Sequence, residues 1–255
     1  MKSFETFLQL HQQENPLLIG NCWDVASAQT IERGGYKAIA TSSAAVANSM
    51  GYEDGEKIPF NLLLQIVERI IHNIRVPFSV DLESGYNTTT AGIINNIEQL
   101  LDLGVVGINF EDSLKTEGGK WQSIDEFQKV VSTITNHLQQ KNRKLFVNVR
   151  TDAFLNKHID PLTETLKRIP SYNDSGATGI FVPFIYDRQH IKEIVAATPL
   201  PVNVLSIPGL PSFVELKDLG VKRISMGTSM FRSLLASFEE KLKKIERDQS
   251  FESLF

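Results

Sequence analysis

Two apolar patterns alternate along this chain eight times, and that alternation constrains its fold more than any other feature. Short, largely apolar runs recur at residues 17–21, 38–41, 78–82, 107–110, 145–149, 179–182, 202–205 and 223–226. Runs of this length that are apolar on both sides suit strands buried on both faces. Between and after them lie stretches with apolar residues at helical spacing, at 26–33, 62–74, 93–103, 127–138, 162–169, 191–196, 212–219 and 229–245. Gly34-Gly35, Gly104 and Gly220 follow three of these, where helix C-termini favour glycine. Strand then helix, eight times, predicts a closed (β/α)8 barrel. A chain of 255 residues that is 42% hydrophobic matches such a barrel in size. The competing fold, an open doubly wound sheet, usually carries a glycine-rich fingerprint after its first strand, and Gly20-Asn21-Cys22-Trp23-Asp24 is not one. No linker-like or low-complexity stretch interrupts residues 1–255, so one barrel domain is expected.

In a barrel of this kind the chemistry sits at the C-terminal ends of the strands. Four of the predicted ends are polar: Ser42 and Ser43, Asp81 and Glu83, Glu111 and Asp112, and Arg150 and Asp152. Charges are costly inside a protein unless they are paired or hold a metal. Strand alternation puts Asp81 and Glu83 on one face, and Glu111 comes from the next strand. Carboxylates converging from neighbouring strands repel unless a cation lies between them, and hard oxygen donors favour Mg2+ or Mn2+ over zinc. The bland alternative is a set of helix caps and rim ion pairs. Arg150 suits two-pronged binding of a carboxylate or phosphonate, and also a rim ion pair to Asp152 or Glu111. The small residues Ser42, Ser43 and Ala44 allow a ligand to approach backbone N–H groups, and equally suit tight packing. Asp24, ahead of a helical pattern, reads as an N-cap.

Two loops are long enough to cover a barrel mouth. Residues 46–59 contain Asp54 between Gly51 and Gly55, and residues 113–123 contain Lys115, Gly118-Gly119 and Lys120. No lysine stands at a predicted strand end, which argues against Schiff-base chemistry. No histidine stands there either. His11, His72 and His137 fall within helical patterns, and His158 and His190 in connections, so histidine-driven catalysis is not expected. The single cysteine, Cys22, excludes an intrachain disulfide and reads as a buried filler. A net charge of −4 without a basic run gives no nucleic-acid surface. No apolar run reaches the ~20 residues of a membrane span. A reducing cytoplasm is the expected setting.

The motifs NCWDVASAQTIERGGYKAIATSSAAVANSMGYEDGE, SVDLESGYN, GINFEDS and VNVRTDAF, in this order, resemble the isocitrate lyase/phosphoenolpyruvate mutase superfamily. The closing PVNVLSIPGLPSFVELKDLGVKRISMGTSMFRS looks like its phosphonomutase-like branch. The resemblance implies that Asp81 ligates Mg2+ (or Mn2+), with Asp54, Glu83 and Glu111 around it. It implies that Ser42 and the backbone of Ser43 and Ala44 bind a 2-oxo acid, and that Arg150 binds its carboxylate or leaving-group end. Trp23 and Asn203 are expected to line the substrate pocket, and Phe184, Tyr186 and Asn203 to help set specificity. The resemblance further implies a homotetramer, a dimer of dimers, with the helix at 229–245 exchanged between subunits.

Two departures narrow the chemistry. Superfamily lyases of 2-hydroxy tricarboxylates carry a Lys-Lys-Cys-Gly flap, whereas this chain reads Lys115-Thr116-Glu117-Gly118-Gly119-Lys120 without cysteine. Phosphonomutases carry a flap asparagine and a histidine after the sixth strand, whereas no flap asparagine is present and Pro183 stands at that strand end. The expected function is a Mg2+-dependent lyase or decarboxylase that cleaves a C–C bond next to a 2-oxo or 2-hydroxy acid, such as oxaloacetate, through a metal-stabilised enolate. The alternatives are P–C chemistry on a phosphonopyruvate-like substrate and a non-catalytic metabolite-binding barrel.

Overall fold

The structure, a computed structural model, describes residues 3–115, 120–156 and 158–255. Eight parallel strands close into a barrel: β1 (Leu17–Cys22), β2 (Ala38–Thr41), β3 (Phe78–Asp81), β4 (Gly107–Glu111), β7 (Phe146–Arg150), β8 (Gly179–Val182), β9 (Val202–Leu205) and β10 (Arg223–Ser225). The barrel closes where β1 pairs with β10, Leu17 in register with Arg223. The remaining strands, β5 (Ser113–Leu114) and β6 (Lys120–Trp121), form an antiparallel ribbon above the end of β4. The outer layer follows the predicted helices: α2 (Val25–Arg33), α4 (Phe60–Ile71), α5 (Thr90–Asp102), α6 (Ile124–Gln140), α7 (Pro161–Asp174), α8 (Arg188–Ala196), α9 (Phe213–Asp218) and α10 (Ser229–Asp248). Among the described residues no helix is long and apolar enough to cross a membrane.

Alternation along each strand decides what faces where. On β4 and β7 the outward side chains Ile108, Phe110, Val147 and Val149 join the large core beneath the helices, where Phe110 stacks on Phe127 of α6 at 5.5 Å. The inward positions of the same strands are polar. Asn109, Asn148, Asn203, Ser225 and Arg223 form a buried network in which Asn109 Oδ1 accepts from Asn148 at 2.9 Å and from Arg223 at 3.3 Å. Gly179 keeps room for it, because a Cβ there would lie 2.8 Å from Asn148 Oδ1. The Arg223 guanidinium is 1% exposed, and burial pulls its pKa down to about 10. The opposite end of the barrel is plugged by α1 (Phe4–Leu10), whose Phe7 packs edge-on to Phe146.

Three sequence expectations are corrected here. The first part of the segment read as a loop at 46–59 is helical: α3 (Ser43–Ser49) follows β2 directly and leaves Met50–Pro59 as the connection. The segment at 113–123 carries the β5–β6 ribbon, and Thr116, Glu117, Gly118 and Gly119 lie outside the described residues. Strand β3 stops at Asp81, so a turn delivers Glu83, with φ at 51°, instead of strand alternation.

Candidate active site

Adjacent strands β2, β3, β4 and β7 bring the predicted acids and Arg150 to one mouth of the barrel. Ser42 directly follows β2 and caps α3, its hydroxyl accepting from the Ala45 N–H at 3.4 Å. The Ser43 N–H points at Asp81 Oδ2, 3.3 Å away. Asp81 Oδ1 accepts from Asn109 at 3.5 Å. One of the backbone donors read in the sequence as an anion site, the Ser43 N–H, therefore faces Asp81.

Glu83 is 3% exposed, and its pKa is pushed well up, first by burial and then by the charges of Glu111, Asp54 and Asp81. Glu111, Asp54 and Asp81 thus each lie within electrostatic reach of Glu83. The Glu83 side chain is fixed by two donors on Oε1, the Glu56 N–H at 3.1 Å and the Tyr86 hydroxyl at 2.9 Å. Glu56 in turn accepts three bonds on Oε1, from the Ser84 N–H, the Ser84 hydroxyl and the Tyr86 N–H, at 2.8 to 2.9 Å. Glu56, Glu83 and Tyr86 all have φ between 51° and 60°, a left-handed backbone that costs energy in residues other than glycine. Interlocking bonds hold this strained trio. Beside Asp54, the sequence does not single out Glu56 and Tyr86. The one available signal was a carboxylate beside Gly55 in a loop facing other acids.

On β4 and β7 the charges pair. Arg150 Nη1 lies 2.9 Å from Glu111 Oε2, and Arg150 Nε donates to Asp152 Oδ1 at 2.6 Å. Both rim ion pairs read from the sequence are present. Burial alone pulls the Arg150 pKa down, but Glu111 and Asp152 outweigh it and hold the guanidinium charged. Burial holds the Glu111 carboxyl above the usual carboxylate range, and Arg150 offsets this only in part. Although no lysine ends a strand, Lys115 reaches in from the ribbon, its Nζ 2.7 Å from Glu111 Oε1 and 3.7 Å from Asp152 Oδ2. Lys120 lies at the other stem of the ribbon and is exposed.

Other predicted residues fall elsewhere. Asn203 is 1% exposed inside the barrel, in register with Phe181 and Arg223, and accepts from the Ser225 hydroxyl at 3.1 Å. Trp23 packs edge-on to Phe231 of α10 at 5.0 Å. Phe184 and Tyr186 are exposed on the loop after β8. Asp24 is an N-cap with a reciprocal Ser27 box, and Cys22 is fully buried.

Among the described residues no three His, Cys, Asp or Glu side chains stand close enough together to enclose a metal ion. The donor chemistry nevertheless suits a hard cation. The side chains are carboxylates without thiolate or imidazole, and burial followed by the charges of its neighbours raises Glu83.

Comparison with known proteins adds the family. Residues 7–246 match the profile described as phosphoenolpyruvate phosphomutase. The chain belongs to that family. A crystal structure from Burkholderia cenocepacia J2315, of a protein provisionally classed as a phosphonomutase, superposes with a TM-score of 0.90 at 32% identity, covering 95% of this chain and all of the other. The 2-methylisocitrate lyase of Escherichia coli strain K12 is 25% identical over 231 residues, 87% of this chain and 77% of that protein. The oxaloacetate decarboxylase of Pseudomonas fluorescens strain SBW25 is 22% identical over 241 residues, 92% of this chain and 82% of that one. The phosphoenolpyruvate phosphomutase family and its lyase and mutase members make this chain an enzyme of the lyase type. Enzymes of this superfamily are metal-dependent and act on small organic acids.

Proposed function

We propose that this enzyme cleaves a C–C bond next to a 2-oxo or 2-hydroxy acid unit in a small dicarboxylate, of the type of the bond from the CH2 of oxaloacetate to its distal carboxylate, whose loss as CO2 leaves the enolate of pyruvate, in the cytoplasm and with Mg2+ or Mn2+ as cofactor. The observation that carries the reading is Arg150, held by Glu111 and Asp152 at the end of β7 on the same mouth as Asp81 and Glu83. A fixed guanidinium beside carboxylates offers a substrate carboxylate one docking point and a divalent cation another. Asp81 is the metal ligand in this proposal, with Asp54, Glu83 and Glu111 around it. A cation held there offsets the negative charge that develops on the 2-oxo oxygen as the bond breaks. Arg150 binds the substrate carboxylate, and Ser42 with the N–H groups of Ser43 and Ala44 receives its other end. No cysteine is needed, because loss of the carboxyl group calls for no base at the flap.

A P–C reaction on a phosphonopyruvate-like acid is the second reading. Lys115 favours it, since a second cation 2.7 Å from Glu111 supplies charge for a phosphonate.

We also propose a homo-oligomer, a tetramer built as a dimer of dimers. None of the 20 residues of α10 is buried, and Met230, Leu234, Leu235, Phe238 and Leu242 expose apolar surface along it. A face of this kind is expected to pack on a second copy, and exchange of α10 between subunits covers it.

Turnover of oxaloacetate and of phosphonopyruvate by one preparation, with and without Mg2+, tests the function. Metal-dependent release of pyruvate from oxaloacetate supports the leading reading. Turnover of phosphonopyruvate alone favours the second. An Asp81→Ala variant with wild-type activity contradicts both.

A further inference from the structure

A buried chain of hydrogen bonds connects α7, on the outside of the barrel, to Arg150 at its mouth. It begins at Asp112, which is fully buried. Asp112 Oδ2 accepts from the Tyr172 hydroxyl at 2.6 Å and pairs with Arg168 Nη1 at 3.2 Å. Asp112 Oδ1 accepts the Asp152 N–H at 3.1 Å. Asp152 then holds the Arg150 Nε at 2.6 Å. Each link is a directional bond in a low-dielectric setting, where displacing one member leaves its neighbour unsatisfied.

Arg168 does a second thing. Its Nη1 also donates to the Gln122 carbonyl at 3.1 Å, and its guanidinium carbon lies 4.0 Å over the ring of Trp121. Trp121 and Gln122 form the C-terminal stem of the β5–β6 ribbon. The N-terminal stem is held from the same chain, because the Ser113 hydroxyl donates to Asp152 Oδ2 at 2.9 Å. One side chain, 4% exposed and more than 50 residues away in sequence from Asp112, thus ties both the ribbon and the orientation of Arg150 to a rigid helix.

We propose that Arg168 is a positioning residue for the reaction: through Asp112 and Asp152 it sets the orientation of Arg150, and through Trp121 and Gln122 it holds the ribbon that brings Lys115 to the site. This rests on the functional reading above, in which Arg150 receives the substrate carboxylate. Lysine cannot replace it, since a single ammonium cannot bond Asp112 and the Gln122 carbonyl while lying flat on an indole.

The test uses Arg168→Met, Arg168→Lys and Tyr172→Phe in the full chain, at a temperature well below the melting point of every variant. Two readouts are taken: Mg2+-dependent binding of oxalate by calorimetry, and the rate of tryptic cleavage after Lys120 by mass spectrometry. Arg168→Met is expected to weaken oxalate about ten-fold or more and to accelerate cleavage after Lys120. Arg168→Lys should recover only part of both losses. Tyr172→Phe, which removes one bond and keeps the ion pair, should weaken oxalate by about three-fold and leave the cleavage rate unchanged. Variants that melt earlier but bind oxalate and resist trypsin as the wild type does overturn the proposal, because Arg168 is then structural only. If the wild type binds no oxalate with Mg2+, the functional reading fails and takes the orientation of Arg150 with it. The cleavage rate then still decides whether Arg168 holds the ribbon.

Discussion

Glu56 and Glu83 clasp each other across the barrel mouth. The Glu56 N–H donates to Glu83 Oε1, while the Glu56 carboxylate closes over the Ser84 and Tyr86 N–H groups, one and three positions after Glu83. The connection after α3 and the turn after β3 therefore form one unit, and the buried Glu83 carboxylate owes its position to a residue on another loop.

Removing that clasp has a measurable cost. Glu56→Ala leaves the Ser84 and Tyr86 donors without their shared acceptor, and a bond to a charged group contributes about 1.5–3 kcal/mol. We expect a loss of about 2 kcal/mol and a fall in Tm of roughly 4–8 °C for a chain of this size. Glu56→Gln keeps an oxygen acceptor and should lose about half as much. Thermal unfolding followed by circular dichroism checks both. An unchanged Tm in Glu56→Ala contradicts the clasp.

Arg150→Lys separates charge from geometry. A lysine keeps one positive charge but cannot bond Glu111 and Asp152 through a planar fork. The expected result is a fall in kcat/KM on the active 2-oxo acid of about 10- to 100-fold, carried mainly by KM. Steady-state kinetics on the two proteins read this directly, and an unchanged KM means that Arg150 serves the rim alone.

His11 predicts a pH dependence of stability. Burial, aided by the charge of Arg223, lowers its pKa from 6.5 to about 3, so the folded protein keeps the ring neutral, bonded to the Phe7 carbonyl and stacked on Phe146. The unfolded chain takes up a proton below 6.5, and the folded chain does not do so until about 3. The stability this provides is full above pH 6.5 and falls as the pH drops toward 3, by about 2 kcal/mol at pH 5. His11→Phe should show a shallower loss between pH 7 and pH 5 in urea titrations, and a parallel profile contradicts the assignment.

The last helix predicts an assembly. Leu234 and Phe238 are more than half exposed, one turn apart on α10. Sedimentation velocity should find a tetramer in the wild type and smaller species in a Leu234→Glu, Phe238→Glu double variant. A monomeric wild type contradicts the proposal.

Much of this molecule is legible in its sequence, and for a physical reason. Strands covered by helices outside and filled inside are apolar on both faces, and such runs read clearly, as Phe78-Ser79-Val80 and Ile108-Asn109-Phe110 do. The inward Ser79 and Asn109 break the pattern only singly. The acids at the strand ends were visible because no apolar core explains them. What was hidden depends on contacts between distant segments or on backbone outside regular elements. Helix α3 is a short stretch of small residues directly after a strand, with little periodicity to show. Glu83 sits on a turn, so alternation along the strand gave the right neighbourhood by the wrong route. Asp112, Arg168 and Tyr172 meet only through the fold. Arg223 opens the strand read at 223–226, and its burial at 1% exposure inside the barrel shows only in the fold.

The central claim, that the acids at the ends of β3 and β4 and Arg150 at the end of β7 serve a divalent cation and a 2-oxo acid, is tested most directly by calorimetric titration with oxalate, a mimic of pyruvate enolate, with and without Mg2+. Binding is expected to be tight with Mg2+, at least about ten-fold weaker without it, and lost in Asp81→Ala. Absence of binding in both conditions, or equal binding with and without the metal, contradicts it and leaves these charges a purely structural role.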